Sequence, residues 1–364
     1  LKRCSTQADD CHNVSLLPMG GLPDECQSHC KKGERSALVA KDVSTPSTLQ
    51  KPCWKCLAQS RIFLALALVS ALTLLGFLLF HWVASQVYLG ISPEALEPFV
   101  AFRDPRSYSG LVWIPSDLRA PTPLLLCLHG MEDFTAPPNL SMLVAGKGGM
   151  PVAEIYCDAH PDYRSDCSHA APSFKQEFVV VAPQASNGER GWESERISRL
   201  LDFLLADRAK LGLQLDPRRM YVTGWSAGGH GVLAAAQTGR FAAVAPVALP
   251  CSQADLEVLS NADLSGDVQW RTWRLDRDPI NISKLVHVPI WAFHAKIDPL
   301  INPQCTVSLI EYLRRKGAPR NAVKMTLYSE RQRLPIRGWH LETVGHLSSV
   351  LAYMNQDLYT WLLG

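Results

Sequence analysis

Met220-Tyr221-Val222-Thr223-Gly224-Trp225-Ser226-Ala227-Gly228-Gly229 decides the fold of this chain. Its apolar, β-branched and aromatic start reads as a buried strand. The alanine-rich Gly231-Val232-Leu233-Ala234-Ala235-Ala236 that follows reads as a helix. Between them stands the spacing Gly-x-Ser-x-Gly, which throws a serine outward from a sharp strand-to-helix turn. Such a turn leaves no room for a Cβ two positions before or two after the serine, so glycine is expected at 224 and 228. A tight glycine turn with an incidental serine is the bland alternative, and the flanking strand and helix patterns weigh against it.

A serine hydroxyl is a weak nucleophile at its free pKa, so the turn predicts a histidine base and a carboxylate to orient it. Val288-Pro289-Ile290-Trp291-Ala292-Phe293-His294 reads as a buried strand that leads through Ala295-Lys296-Ile297 to Asp298 on a strand-end loop. Further on, Thr343-Val344-Gly345-His346 precedes a helical pattern from Leu347 to Leu363, which puts His346 on the loop before the last helix. His340 shares that loop, and Asp276 and Asp278 lie in a polar insertion with no clear strand before them. Position selects Ser226, Asp298 and His346 as the catalytic set. The oxyanion of acyl transfer needs two backbone donors. Ala227 N–H supplies one, and the loop after Pro123-Leu124-Leu125-Leu126-Cys127-Leu128-His129-Gly130 supplies the other from Met131, with Gly130 as the alternative. His129 reads as a loop-holding residue rather than a second base.

From about Pro105 to Leu363 the chain resembles the esterase and predicted-peptidase branch of the α/β-hydrolase superfamily. That branch includes polyhydroxybutyrate-depolymerase-like and feruloyl-esterase-like enzymes and is related to the prolyl oligopeptidases. The resemblance is carried by Leu128-His129-Gly130, by Val179-Val180-Val181-Ala182-Pro183-Gln184 with Trp192 after it, and by Asp216 through Gly229. Arg240 through Ala248, Trp291 through Asp298, and Gly345-His346 with Tyr353, Leu358-Tyr359 and Trp361-Leu362-Leu363 complete it. It implies a doubly wound, mostly parallel α/β sheet, and it assigns the triad to Ser226, Asp298 and His346. Two departures stand out: Ala295 replaces the usual glycine before the acid, and Met131-Glu132-Asp133 replaces a small, glycine-rich continuation of the oxyanion loop. Neither removes a reacting group, so both point to altered substrate choice.

Composition agrees. The 364 residues carry a net charge of +2, which gives no nucleic-acid signal. No phosphate-cradling glycine loop and no His-Glu-x-x-His pattern occurs, so no cofactor or metal is expected.

Ile62 to Phe80 is a run of nineteen uncharged, mostly apolar residues, extended to Ala84. At 1.5 Å per residue it can cross a hydrocarbon core of about 30 Å. Lys51, Lys55 and Arg61 precede it, whereas Arg103 alone stands within about twenty residues after it. The positive-inside rule therefore predicts a type II signal-anchor with the hydrolase domain lumenal or extracellular. The expected organisation is a disordered cysteine-containing cytoplasmic tail at 1–61, the membrane helix at 62–84, a linker at 85–104 and the catalytic domain at 105–364. On the lumenal side, Asn139-Leu140-Ser141 and Asn281-Ile282-Ser283 are glycan acceptor sequences. Cys157 with Cys167 and Cys251 with Cys305 can pair there, and Cys127 is left free in a core strand. Cys53 and Cys56 stand beside the membrane as candidates for acylation, and with Cys26 and Cys30 they have a loose zinc-like spacing.

Two long insertions, 132–175 and 328–343, read as pocket-shaping loops, the second carrying Arg331, Arg333 and Arg337. The whole reads as a membrane-anchored serine hydrolase acting on small-molecule or polymer esters. A serine peptidase and a non-catalytic binding module on the same scaffold are the alternatives.

Overall fold

The computed structural model describes residues 96–117, 120–131, 139–144, 151–160, 174–185, 191–261, 268–270, 279–329 and 345–364. The chain divides into two units, Leu1–Leu72 and Thr73–Gly364, and all described residues lie in the second.

At the centre lies β3 (Thr122–Leu128), every residue of which is buried. A continuous apolar strand of this kind is stable only where both faces of a parallel sheet are covered. Around it the strands β1 (Val100–Phe102), β2 (Ser109–Trp113), β4 (Val179–Gln184), β5 (Leu215–Trp225), β6 (Ala243–Val247), β9 (Ile290–Ala295) and β10 (Val323–Tyr328) form one sheet. Its order is β1-β2-β4-β3-β5-β6-β9-β10, and β7 (Gln269–Trp270) with β8 (Ile280–Asn281) makes a separate two-stranded ribbon. Strand β2 runs antiparallel to β1 and to β4, while the pairings from β4 through β10 are parallel.

Side chains alternate across the sheet with period two. In β3, Leu124, Leu126 and Leu128 enter one apolar layer. Leu125 and Cys127 enter the other. The nine helices among the described residues are α1 (Ser141–Val144), α2 (Pro151–Ala159), α3 (Phe174–Glu177), α4 (Ser194–Leu205), α5 (Ala227–Ala236), α6 (Gln253–Asn261), α7 (Gln304–Arg315), α8 (Ser348–Met354) and α9 (Gln356–Leu363). Helices α4, α5 and α7 cover the first layer. Helices α2, α8 and α9 cover the second. The doubly wound, mostly parallel sheet is the one expected.

Two boundaries differ from expectation. The sheet begins before residue 105, because β1 pairs with β2 through Val100, Ala101 and Phe102. Val100 and Ala101 are exposed on this short edge strand, so backbone pairing holds it and no apolar alternation announces it. The single helix expected from Leu347 to Leu363 is two. Asn355 adopts extended φ and ψ of −75° and 106°, and its Oδ1 accepts from Asp357 N–H, which caps a new helix.

Among the described residues no helix is long and apolar enough to cross a membrane. The run 62–84 lies outside them, as do Cys53, Cys56, Cys167, Asp276, Asp278, Arg331, Arg333, Arg337 and His340. Cys251 and Cys305 form a disulfide with Cα atoms 5.5 Å apart. Cys157 is also disulfide-bonded. Cys127 is the free cysteine of the described residues and is buried.

Where β3 and β5 end side by side, Leu128 stands opposite Gly224. Helix α5 then starts so close to β3 that a Cβ on Gly228 would lie 1.9 Å from the Leu128 carbonyl oxygen. Both partners there are backbone, so neither can swing aside. Gly228→Ala is expected to cost about 3 kcal/mol or more, measured as a fall in the urea midpoint of the purified protein.

Candidate active site

Ser226 sits at the tip of β5 with φ 57° and ψ −118°, and α5 begins at the next residue. For a residue with a Cβ this is strained backbone, the kind that persists only where the surroundings over-determine it. Here they do, because the Ser226 N–H is anchored on the Val247 carbonyl of β6 at 3.0 Å.

Asp298 stands three residues beyond the end of β9, and His346 lies in the short 3₁₀ helix Gly345–Leu347 before α8. Their loops touch at Gly345, where a Cβ would lie 2.5 Å from the Ile297 carbonyl oxygen. That approach brings His346 Nδ1 to 2.7 Å from Asp298 Oδ2. Its Nε2 lies 3.1 Å from Ser226 Oγ. A carboxylate only accepts, so Nδ1 carries the hydrogen and the Nε2 lone pair faces the serine. The structure therefore brings Ser226, Asp298 and His346 into one hydrogen-bonded row. Chemically, such a row can take a proton from a hydroxyl while an oriented imidazole holds it.

The carboxylate is held on both oxygens. Oδ1 accepts from Leu300 N–H and Ile301 N–H, each at 2.9 Å. Oδ2 is shared by His346 and His294, the latter at 3.3 Å. Burial alone would raise the Asp298 carboxyl. The hydrogen bonds from His294 and His346, the attraction of a protonated His346 and the Ile301 amide outweigh it and hold the group well below the usual carboxylate range.

Two neighbours tie the remaining loops to this row. Trp225 donates from Nε1 to the His346 carbonyl at 2.8 Å, and its ring lies 4.8 Å from the His346 ring. The other side of that indole meets Gly130, where a Cβ would lie 3.0 Å away. His129 fastens the loop that follows β3. Its Nε2 accepts from Ala185 N–H at 3.0 Å, so Nδ1 carries the hydrogen and donates to the Gly130 carbonyl at 2.7 Å. Burial lowers the His129 pKa to about 4, opposed in part by that bond to Gly130. Ala227 is buried at the first turn of α5, and Met131 follows Gly130 with its side chain exposed.

Two residues of the site, His294 and Trp225, carry no functional signal in the sequence. His294 was legible only as a strand residue, because its contact with Asp298 depends on the turn between them. Trp225 was in view as the variable residue of the serine motif, but nothing in its spacing shows that it reaches the histidine loop.

The strand order, the antiparallel β2, and the serine turn between β5 and α5 together define the architecture. The fold is that of the α/β-hydrolases. Neither a protein-family model nor a curated protein matches the chain. Solved structures similar to this chain include a thermostable esterase at 23% identity and TM-score 0.48, covering 74% of this chain and 64% of that one. Another is Thermogutta terrifontis esterase 2, at 14% identity and TM-score 0.44, covering 74% and 96%. A puromycin-hydrolysing peptidase of Mycobacterium tuberculosis shares 15% identity at TM-score 0.44, covering 75% and 41%.

The depressed His129 pKa has a signed consequence for stability. Above pH 6.5 both folded and unfolded imidazoles are neutral and the group is without effect. As pH falls from 6.5 towards 4, the unfolded state takes up a proton that the folded state refuses. Unfolding free energy is therefore expected to fall by about 1.4 kcal/mol per pH unit in that window from this group alone. Urea titrations at a series of pH values should show this slope in the wild type and its loss in His129→Asn.

Proposed function

We propose that the chain is a membrane-anchored serine hydrolase that cleaves carboxylic esters through an acyl-enzyme on Ser226. The observation that carries this reading is the Ser226 hydroxyl, raised on a strained turn and 3.1 Å from an imidazole whose far nitrogen is held 2.7 Å from a buried carboxylate. Ser226 Oγ attacks the ester carbonyl carbon as His346 Nε2 takes its proton. Asp298 holds the ring so that Nε2 faces the serine, and it stabilises the imidazolium that forms. The tetrahedral oxyanion rests on the N–H groups of Ala227 and Met131. Collapse expels the alcohol, which takes the proton back from His346, and leaves the acyl group on Ser226. Water then attacks with His346 again as base, releasing the acid and restoring the serine.

Two observations support the oxyanion assignment. Ala227 opens α5, so its N–H is one of the first-turn donors without an intrahelical partner. Gly130 packs on Trp225, which keeps the start of the Met131 loop beside the serine turn.

The lumenal or extracellular placement rests on the basic flank of 62–84 and is supported by the Cys251–Cys305 disulfide, since such bonds persist in oxidising compartments. The two glycan acceptors are not equivalent. Asn139 is exposed, and its Oδ1 accepts from the Ser141 hydroxyl at 2.6 Å. Asn281 is 9% exposed, and its Oδ1 caps the 3₁₀ helix Ile282–His287 through Ser283 N–H.

Chemistry and topology are tested separately. Ser226→Ala should abolish fluorophosphonate labelling, and His346→Ala should lower ester turnover nearly as far, because triad losses are not additive. Asp298→Asn should cost about 10⁴-fold through the wrong tautomer. A folded wild type that neither labels nor cleaves any short-chain ester or peptide would overturn the reading, and faster turnover of peptides than of esters would favour a peptidase. In sealed vesicles the catalytic domain should resist external protease. Mass spectrometry should find glycan on Asn139 and bare Asn281; digestion of the domain from the cytoplasmic side would reverse the topology.

A further inference from the structure

A second imidazole lies behind the acid, and the chemistry proposed above makes no use of it. His294 is wholly buried near the end of β9, on the face of the sheet covered by α7. Its Nε2 lies 3.3 Å from Asp298 Oδ2 and 3.3 Å from the Ile301 carbonyl oxygen. Both of those atoms accept, so Nε2 carries the hydrogen and shares it between them. Nδ1 is then an acceptor, and it stands 2.7 Å from the hydroxyl of Thr306, which is itself wholly buried in α7. The two acceptors facing Nε2 thus set the tautomer of His294, and the Thr306 hydroxyl donates to Nδ1 and braces the ring from behind.

The arrangement places two imidazole N–H groups on one oxygen. Oδ2 receives His294 and His346, while Oδ1 is filled by two backbone amides. An acceptor oxygen that serves two donors is polarised by both and draws less strongly on each than it would on one. A histidine buried only to fill space would be satisfied by Thr306 and the Ile301 carbonyl and would have no call on the carboxylate.

We infer that His294, braced from behind by Thr306, is a positioning residue that fixes the Asp298 carboxylate and limits how strongly Oδ2 draws on the His346 Nδ1–H. Its catalytic consequence rests on the serine-hydrolase reading of this site. The hydrogen-bond consequence stands apart from that reading and is measured separately.

The experiment compares the wild type in detergent with His294→Phe, which removes the donor, His294→Gln, which offers an amide N–H in its place, and Thr306→Val, which removes the hydroxyl that braces Nδ1. Four quantities are read: fluorophosphonate labelling, kcat and KM with their pH profiles on a short-chain ester, the low-field proton resonance of His346 Nδ1–H, and the thermal midpoint. His294→Phe should lower kcat by up to about 10²-fold with KM little changed, displace the acid limb of the profile and move the low-field resonance further downfield. His294→Gln should restore most of kcat and return the resonance towards its wild-type position, and Thr306→Val should fall between them.

Wild-type kcat, pH profile and resonance in a folded His294→Phe would overturn the inference, whatever the thermal midpoint. Equal loss in the Phe and Gln variants with an unmoved resonance would overturn it too, since that is the mark of packing alone. If His294→Phe does not fold, Thr306→Val and His294→Gln decide in the same way: a moved resonance and altered profile in the valine variant, with near-wild-type behaviour in the glutamine variant, sustains the inference, and unmoved values in the valine variant reject it. If the wild type neither labels nor turns over ester, the hydrolase reading fails by itself, and the resonance comparison still decides the role of His294.

Discussion

The approach of α5 to the end of β3, backbone against backbone, is the constraint on which the site depends. Gly228 faces the Leu128 carbonyl without a side chain between them, and Gly224 faces the start of the same helix. At this contact the chain leaves β5 through a residue of positive φ, Ser226. It also sets the loop after β3 and the serine turn next to one another, because Leu128 and Gly224 are register partners in adjacent strands. The position of the serine is therefore a property of the sheet and not of a loop.

Asp298 does for the other half of the site what the glycine contact does for the serine. Two amides grip one oxygen and two imidazoles the other, so the carboxylate can neither rotate nor take up a proton easily. His346 is located by three independent contacts: the acid, the Trp225 indole under its carbonyl, and the glycine beside it that lets its loop settle on Ile297. The row is rigid because each member is fixed from outside the row.

Much of this was legible in the sequence because the features concerned are local. Glycine spacing around Ser226, the apolar run before Asp298 and the helical pattern after His346 are short-range patterns with a physical cause, and they placed three residues on the correct ends of the correct elements. What was not legible depends on side chains meeting across the fold. His294 reads as an ordinary strand residue until the turn to Asp298 folds back over it, and Trp225 reads as the variable letter of a motif. The β1 strand escaped notice because an edge strand held by backbone bonds needs no apolar alternation, and the break at Asn355 because capping there outweighs an unbroken helical pattern.

The disulfide has a bearing on how the protein must be made and handled. Cys251 follows β6 and Cys305 opens α7, one residue ahead of the threonine that touches His294. Closing a span of 54 residues restricts the unfolded chain by about 4 kcal/mol on the chain-entropy view. The tether also ends at the helical turn that supports the back of the acid. Material produced in a reducing host, or stored with thiol reagents, loses that tether at the point where the acid is supported. Oxidation state then belongs beside purity and concentration among the variables that fix the geometry of the site in a preparation.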